Sequence, residues 1–203
     1  LPSEEKNLIR WTAFILSLIP LGLVLFLWVN FDSSRAGFQF ETQHVWYAAI
    51  KSSFHLGVDG ISVAMILLTT LLTPISILAS FSVQDRVKGY MSLFLMLETG
   101  MLGVFLSLDL LLFFVFWEIG LVPMYFLINQ WGNEKGEREL WGGMVMKART
   151  YASFKFMIYT MAGSLGLLLA IQLMGLVANT FDLTKLFEIW PNITELANVG
   201  PLG

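Results

Sequence analysis

Glu118 lies within LLLFFVFWEIGLVPMYFLINQW, residues 110–131, a stretch otherwise free of charge. That run is long enough to cross ~30 Å of hydrocarbon as a helix. An ionised carboxylate at mid-membrane costs about 3 kcal/mol or more. A chain that keeps one there generally uses it to move protons or ions; the plain alternative is a buried Glu that hydrogen-bonds a neighbouring helix. Pro123, five residues further on, removes an N–H and leaves the Ile119 carbonyl unpaired beside the carboxylate. A carboxylate next to a freed carbonyl is a place where water can be held.

Three further residues qualify as candidates. Glu98 interrupts the preceding apolar run in LMLETGMLG, and the short turn Ser107-Leu108-Asp109 joins the two runs as antiparallel neighbours. Glu98 is about ten residues before that turn and Glu118 about ten after it, so both sit roughly 15 Å from one membrane surface. If both face the bundle they can share a proton; otherwise Glu98 is hydrogen-bonded to a different helix. Lys155 falls in the first turn of the last apolar run, placed either to snorkel to the interface or to point inward toward an acid. Asp59, at the mouth of a run in HLGVDGIS, suits a helix N-cap better than a transport role.

Five elements must position these groups. The chain has 203 residues, 56% of them hydrophobic and 13% charged, with a mean hydropathy of +0.71. Soluble domains carry about 25% charged residues, so the class is an integral membrane protein. Residues 11–31, 60–84 and 156–181 contain no charge, 89–108 only Glu98, and 110–133 only Glu118. These gaps predict an all-α, polytopic transmembrane bundle with spans near 8–30, 59–81, 89–108, 109–131 and 155–178, in one transmembrane domain over 1–203. The first run is too long for a signal peptide and no small-residue cleavage site follows it. The chain opens on Leu1 and stops at Gly203 after a polar segment, which fits an N-terminal fragment of something longer.

Basic residues set the orientation. Lys6, Arg10, Arg86, Lys88, Lys135, Arg138, Lys147, Arg149 and Lys155 fall on one side, nine in all, against Arg35, Lys51 and Lys185 on the other. The 132–154 loop is therefore expected in the cytoplasm or matrix. The absence of cysteine excludes a disulfide framework and a thiolate-bound cluster in this chain. No phosphate loop, dinucleotide fingerprint or nucleophile motif is present, and the few basic residues argue against nucleic acid.

The connections read less clearly. FQFETQHVW, residues 38–46, alternates apolar and polar residues as a short strand or hairpin edge would. Pro74 frees a carbonyl one turn earlier, for which Thr69, Thr70 and Thr73 are candidate donors. The charged segment NEKGERELWGGMVMKAR reads as a solvated loop in preference to a surface helix, and residues 179–203 as an outside loop. Ala162, Gly163, Ser164 and Gly166 suit close helix contact.

LDLLLFFVFWEIGLVPMYFLINQWG followed by RTYASFKFMIYTMAGS resembles the antiporter-like subunit M (chain 4) family of proton-pumping NADH–quinone oxidoreductase, respiratory complex I. HLGVDGIS and LMLETGMLGVFLSLD fit the same family in register. The resemblance implies a larger fold of about fourteen helices in two inverted repeats, of which these spans are helices two to six. Glu118 then matches the family glutamate that pairs with a lysine on the seventh helix, and Lys155 a lysine at the start of the sixth. The pumping lysines and a terminal acid of the family lie beyond Gly203. The implied function is proton translocation coupled to quinone reduction, with NADH, FMN, iron–sulfur clusters and quinone bound elsewhere in the complex and none in this chain. The implied partners are the other antiporter-like membrane subunits, lipid and protons, in a bacterial or mitochondrial inner membrane. The alternatives are a subunit of a multisubunit Na⁺/H⁺ antiporter and a non-conducting scaffold.

Overall fold

The computed structural model describes residues 5–47, 50–140 and 143–192. Among the described residues, five helices are long and apolar enough to span a membrane: α1 (Lys6–Asn30), α2 (Gly60–Ala79, prolonged by a 3-10 turn to Ser82), α3 (Val87–Leu106), α4 (Leu110–Trp131) and α5 (Ala148–Ala178). Two antiparallel hairpins lie in the connections, β1 (Gln39–Tyr47) with β2 (Ser52–Val58) and β3 (Glu137–Leu140) with β4 (Met144–Lys147). A short helix α6 (Leu183–Ile189) follows α5. The alternating segment at 38–46 thus falls largely in a strand, and among the described residues the bundle is helical with small sheets in its loops.

Local chemistry sets the helix starts. Asp59 accepts from the Ser62 amide at 2.7 Å while Ser62 Oγ accepts from the Asp59 amide at 2.8 Å, a reciprocal cap for α2. Asp109 caps α4 through the Leu111 and Leu112 amides, and Asp182 caps α6 through the Thr184 amide. Each cap satisfies orphan N–H groups of a first turn and is worth about 1 kcal/mol.

α1, α2 and α3 pack through two apolar clusters. One joins Ile9, Ala13, Ile77, Val87 and Met91; the other joins Val24, Val58, Val63 and Ile66, with Leu102 and Phe105 of α3 laid against it. The opposite face of α3 meets α4. A Cβ on Gly103 would collide with the Phe116 ring, and one on Gly100 would lie 3.0 Å from the Gly120 nitrogen. Two glycines therefore let these helices approach almost backbone to backbone, as the short turn between them requires.

The two ends of the bundle are built differently. At one, Arg10 donates to the Val83 carbonyl, Trp131 Nε1 to the Asp85 carbonyl, Arg86 to Gln130 Oε1, and Arg149 to the Gln130 carbonyl while pairing with Glu134. This end carries most of the basic residues. The other carries the β1–β2 hairpin, the α3–α4 turn and the α5–α6 link. There the Leu108 amide donates to the His55 carbonyl at 2.9 Å and the Leu183 amide to the Leu108 carbonyl at 2.8 Å, so Leu108 is stitched on both sides.

Several local expectations change. The 132–154 loop folds as a hairpin, because Glu137, Arg138, Glu139 and Leu140 pair with Lys147, Met146, Val145 and Met144 around a Gly143 at φ +81°. α5 begins at Ala148, seven residues before the expected span start at 155, because Arg149 is tied to the end of α4 and Thr150 to Asn129. Residues 183–189 form a helix within the segment read as loop; residues 193–203 lie outside the described residues. The threonines near Pro74 serve other carbonyls than the freed one: Thr69 bonds Met65, Thr70 bonds Ile66 and Leu67, and Thr73 bonds Thr69.

Candidate functional site

Glu118 lies at mid-length of α4, partly buried, with Oε1 buried and unpartnered among the described residues. Its direction follows from residues whose contacts are fixed. At about 100° per residue, Phe116 and Gly120, which meet α3, stand roughly 160° away from it. Tyr125 and Asn129 stand within about 20° of it. Those two meet α5: the Tyr125 ring packs edge-on against Phe154 at 6.2 Å, and Asn129 Oδ1 accepts from Thr150 at 3.2 Å. Glu118 therefore continues the α5-facing stripe of α4 and turns its back on α3. Pro123, buried on the same helix, keeps the Ile119 carbonyl free beside it.

Glu98 is 3% exposed and likewise keeps a buried Oε1 without a partner among the described residues. Val87, Met91 and Phe105 lie within about 20° of it around α3, and those residues pack on α1 and α2. Gly100 and Gly103, the contacts to α4, lie about 140–160° away. Glu98 and Glu118 thus face opposite ways from the α3–α4 contact. The shared proton site is not formed, because similar depth on adjacent helices does not fix azimuth. Along the chain Glu98 lies between the two apolar clusters, and so do the buried hydroxyls of Ser17 on α1 and Thr70 on α2.

Lys155 is exposed on α5, with its ammonium 5.7 and 5.8 Å from the ring centres of Tyr151 and Tyr159. It stands about 100–140° round the helix from Thr150 and Phe154, the residues that touch α4. Among the described residues no acid lies within ion-pair distance of it. Of the three acid–base candidates, then, the structure places Glu118 toward α5, Glu98 toward α1 and α2, and Lys155 outward, and brings no two of them together.

A second polar cluster occupies the hairpin end. Asp109, 1% exposed, accepts from Ser52 Oγ at 3.0 Å and the Ser53 amide at 2.9 Å besides its two capping amides. Asp182, 3% exposed, accepts from Gln43 Nε2 at 2.9 Å, from the Thr184 amide at 3.0 Å and from the Thr184 hydroxyl at 2.6 Å. Burial opposes its ionisation, but the Thr184 hydroxyl and amide, His55 and Lys185 outweigh it and hold the carboxyl below its ordinary range. His55 sits between Asp182 and Glu41. Sequence reasoning passed over this group, since its members come from β1, β2, the α3–α4 turn and α6. The available signal was two acids at the edges of charge-free runs, Asp109 ahead of 110–133 and Asp182 behind 156–181.

The fold is a bundle of apolar, membrane-spanning helices with two acids set into it. Residues 107–200 match the family described as "NADH:quinone oxidoreductase/Mrp antiporter, TM". The NADH-quinone oxidoreductase subunit M of Rhodobacter capsulatus is 39% identical over 187 residues, 92% of this chain and 33% of the relative. In the respiratory complex I of Thermus thermophilus with bound NADH, one chain superposes with a TM-score of 0.65 and 25% identity, over 92% of this chain and 34% of that one. A chain of the Mrp complex from a Dietzia species gives a TM-score of 0.71 at 22% identity, over 96% of this chain and 20% of that one, a likeness of fold. The chain is an integral membrane protein that is similar, over most of its own length, to part of subunit M of NADH-quinone oxidoreductase. It spans about a third of the length of the curated relatives it matches.

Proposed function

We propose that this chain forms part of a proton-translocating membrane subunit of NADH–quinone oxidoreductase. The observation that carries this reading is Glu118, an acid at mid-membrane whose buried oxygen finds no partner in the described bundle. A carboxylate so placed raises the proton affinity of any amine brought against it, and withdrawing it releases the proton. Its partner is then a lysine outside the described helices, approaching beside α5. NADH, FMN, iron–sulfur clusters and quinone are bound by other subunits of the complex. The partners are neighbouring antiporter-like membrane subunits, and the end rich in Lys and Arg faces the cytoplasm or matrix, leaving the β1–β2 hairpin outward.

The test is replacement of Glu118 in the assembled complex. Glu118→Gln keeps size and removes charge, and most coupled quinone reduction and pumping is lost while assembly persists. Glu118→Asp retains part of both, since the charge moves by one methylene. Wild-type rates in the Gln variant would refute the charge-based role. A cation/proton antiporter complex is the second reading, favoured by the shared family description and the Mrp fold match. Co-purification separates the two: flavin- and cluster-bearing subunits support the first, and a complex lacking them the second.

A further inference from the structure

At the hairpin end His55 is 4% exposed, and each of its ring nitrogens faces a carboxylate. Nε2 is 3.2 Å from Glu41 Oε2 and Nδ1 is 3.4 Å from Asp182 Oδ2. The second contact has ion-pair distance without hydrogen-bond alignment, so Nδ1 is a buried nitrogen with a charge beside it and no bond. The two acids differ in access to water: the Glu41 side chain is 43% exposed, the Asp182 side chain 5%.

Hydrogen-bonding capacity decides what such an arrangement holds. An ionised carboxylate only accepts, and a neutral imidazole has one donating and one accepting nitrogen. Whichever tautomer a neutral ring adopts, one of its lone pairs confronts a carboxylate. One added proton, on the ring or on a carboxyl, makes both contacts attractive. Asp182 is an unsuitable carrier, since Thr184 and Lys185 favour its ionised form. The proton therefore belongs to the ring or to Glu41, which exchange it across 3.2 Å.

We propose that Glu41, His55 and Asp182 form a proton-binding site on the outward rim, loaded from water through Glu41, whose bound proton fastens the hairpin to the α5–α6 link. Every element packed around the ring contributes to the balance. β1 supplies Glu41 and the neutral Gln43, whose amide is spent on Asp182 and Ser53. α6 supplies Asp182 and Lys185, whose ammonium is 4.0 Å from Asp182 Oδ2. The α3–α4 turn supplies Asp109, already taken by Ser52, Ser53, Leu111 and Leu112, and Lys51 at the hairpin tip is engaged by Asn179. The His55 carbonyl holds Leu108, so the site is tied to the start of α4. Glu118 lies about 14 Å further along that helix. Proton binding here is independent of whether the complex pumps through Glu118.

Hydrogen exchange read by mass spectrometry on the intact membrane complex tests the proposal, with rates corrected for the intrinsic effect of pH. Between about pH 5 and pH 8, the range in which imidazoles ordinarily change charge, amides of Ser52–Val58 and of Leu183–Ile189 should lose about tenfold in protection, the worth of a charge-assisted hydrogen bond. His55→Gln should flatten that response, and Glu41→Gln, on the exposed side, should move its midpoint to lower pH. Glu118→Gln should leave the response intact while pumping falls, which separates the two ideas. A pH-invariant wild type, or a His55→Gln variant that keeps the response, would overturn the site. If His55→Gln does not assemble, an unchanged midpoint in Glu41→Gln overturns it equally.

Discussion

At the hairpin end Asp109 accepts four hydrogen bonds and Asp182 three, whereas in the middle of the bundle Glu98 and Glu118 each keep a buried oxygen with no partner among the described residues. The difference is one of supply. Helix starts and loops present free N–H donors, so an acid there is absorbed into capping and fixes how elements join. A helix interior has spent its donors on its own carbonyls, so an acid there depends on side chains brought by another helix. Satisfied acids mark where this chain is held together. Of the unsatisfied ones, Glu98 is enclosed against α1 and α2, while Glu118 is only partly buried.

The sharpest way to break this contrast is to compare Asp109→Ala with Glu118→Gln. Losing Asp109 removes a cap and strands the buried Ser52 hydroxyl and Ser53 amide, which should cost about 3–5 kcal/mol. Detergent-resistant assembly and thermal melting of the complex should fall accordingly, while Glu118→Gln melts close to wild type. Equal melting of the two variants would erase the distinction.

The α3–α4 contact that sends the two glutamates apart is the next target. Gly100→Val forces atoms against the Gly120 backbone and should cost about 1–3 kcal/mol through overpacking. The same change at Gly163, which a Cβ would leave in open space, should not lower melting comparably. Indistinguishable melting temperatures would mean that α3 and α4 are not so closely apposed.

Acid should loosen the hairpin end. The Asp182 carboxyl titrates below its ordinary 3.8 in the folded state, so its contribution is fully present above that value and disappears as pH falls through the lower folded value. Protection of α6 amides should drop in that acid window, and Asp182→Asn should remove the drop.

The smallest effects test independence. If Glu98 and Glu118 serve different faces, their Gln substitutions should couple by less than about 0.5 kcal/mol in pumping rates. A double variant no worse than Glu118→Gln alone would restore a shared site. Lys155→Gln, losing only a cation–aromatic contact on an exposed face, should cost about 0.5 kcal/mol in stability.

Much of this was legible in the residues themselves. Charge-free runs locate five spans because hydrocarbon imposes the same length and composition on any spanning helix. Asp59 ahead of Ser62 announces a helix start, and alternation over 38–46 announces a strand, because caps and pleats depend on residues close in sequence. Glu118 is conspicuous for the same reason: its cost is set by its own neighbours along the chain.

Direction was decided by packing. Depth can be counted along a sequence, but the azimuth of Glu98 depends on which face of α3 the two glycines give to α4. Lys155 was placed between an outward and an inward role, and the α4–α5 register turned it out onto Tyr151 and Tyr159. The His55 cluster joins residues as far apart as Glu41 and Asp182, and no local pattern encodes such a meeting. The sequence by itself determined where the chain enters the membrane and which two acids it holds there, Glu98 and Glu118. Tertiary structure alone decided which groups face one another, because that depends on helix rotation and on contacts between distant segments.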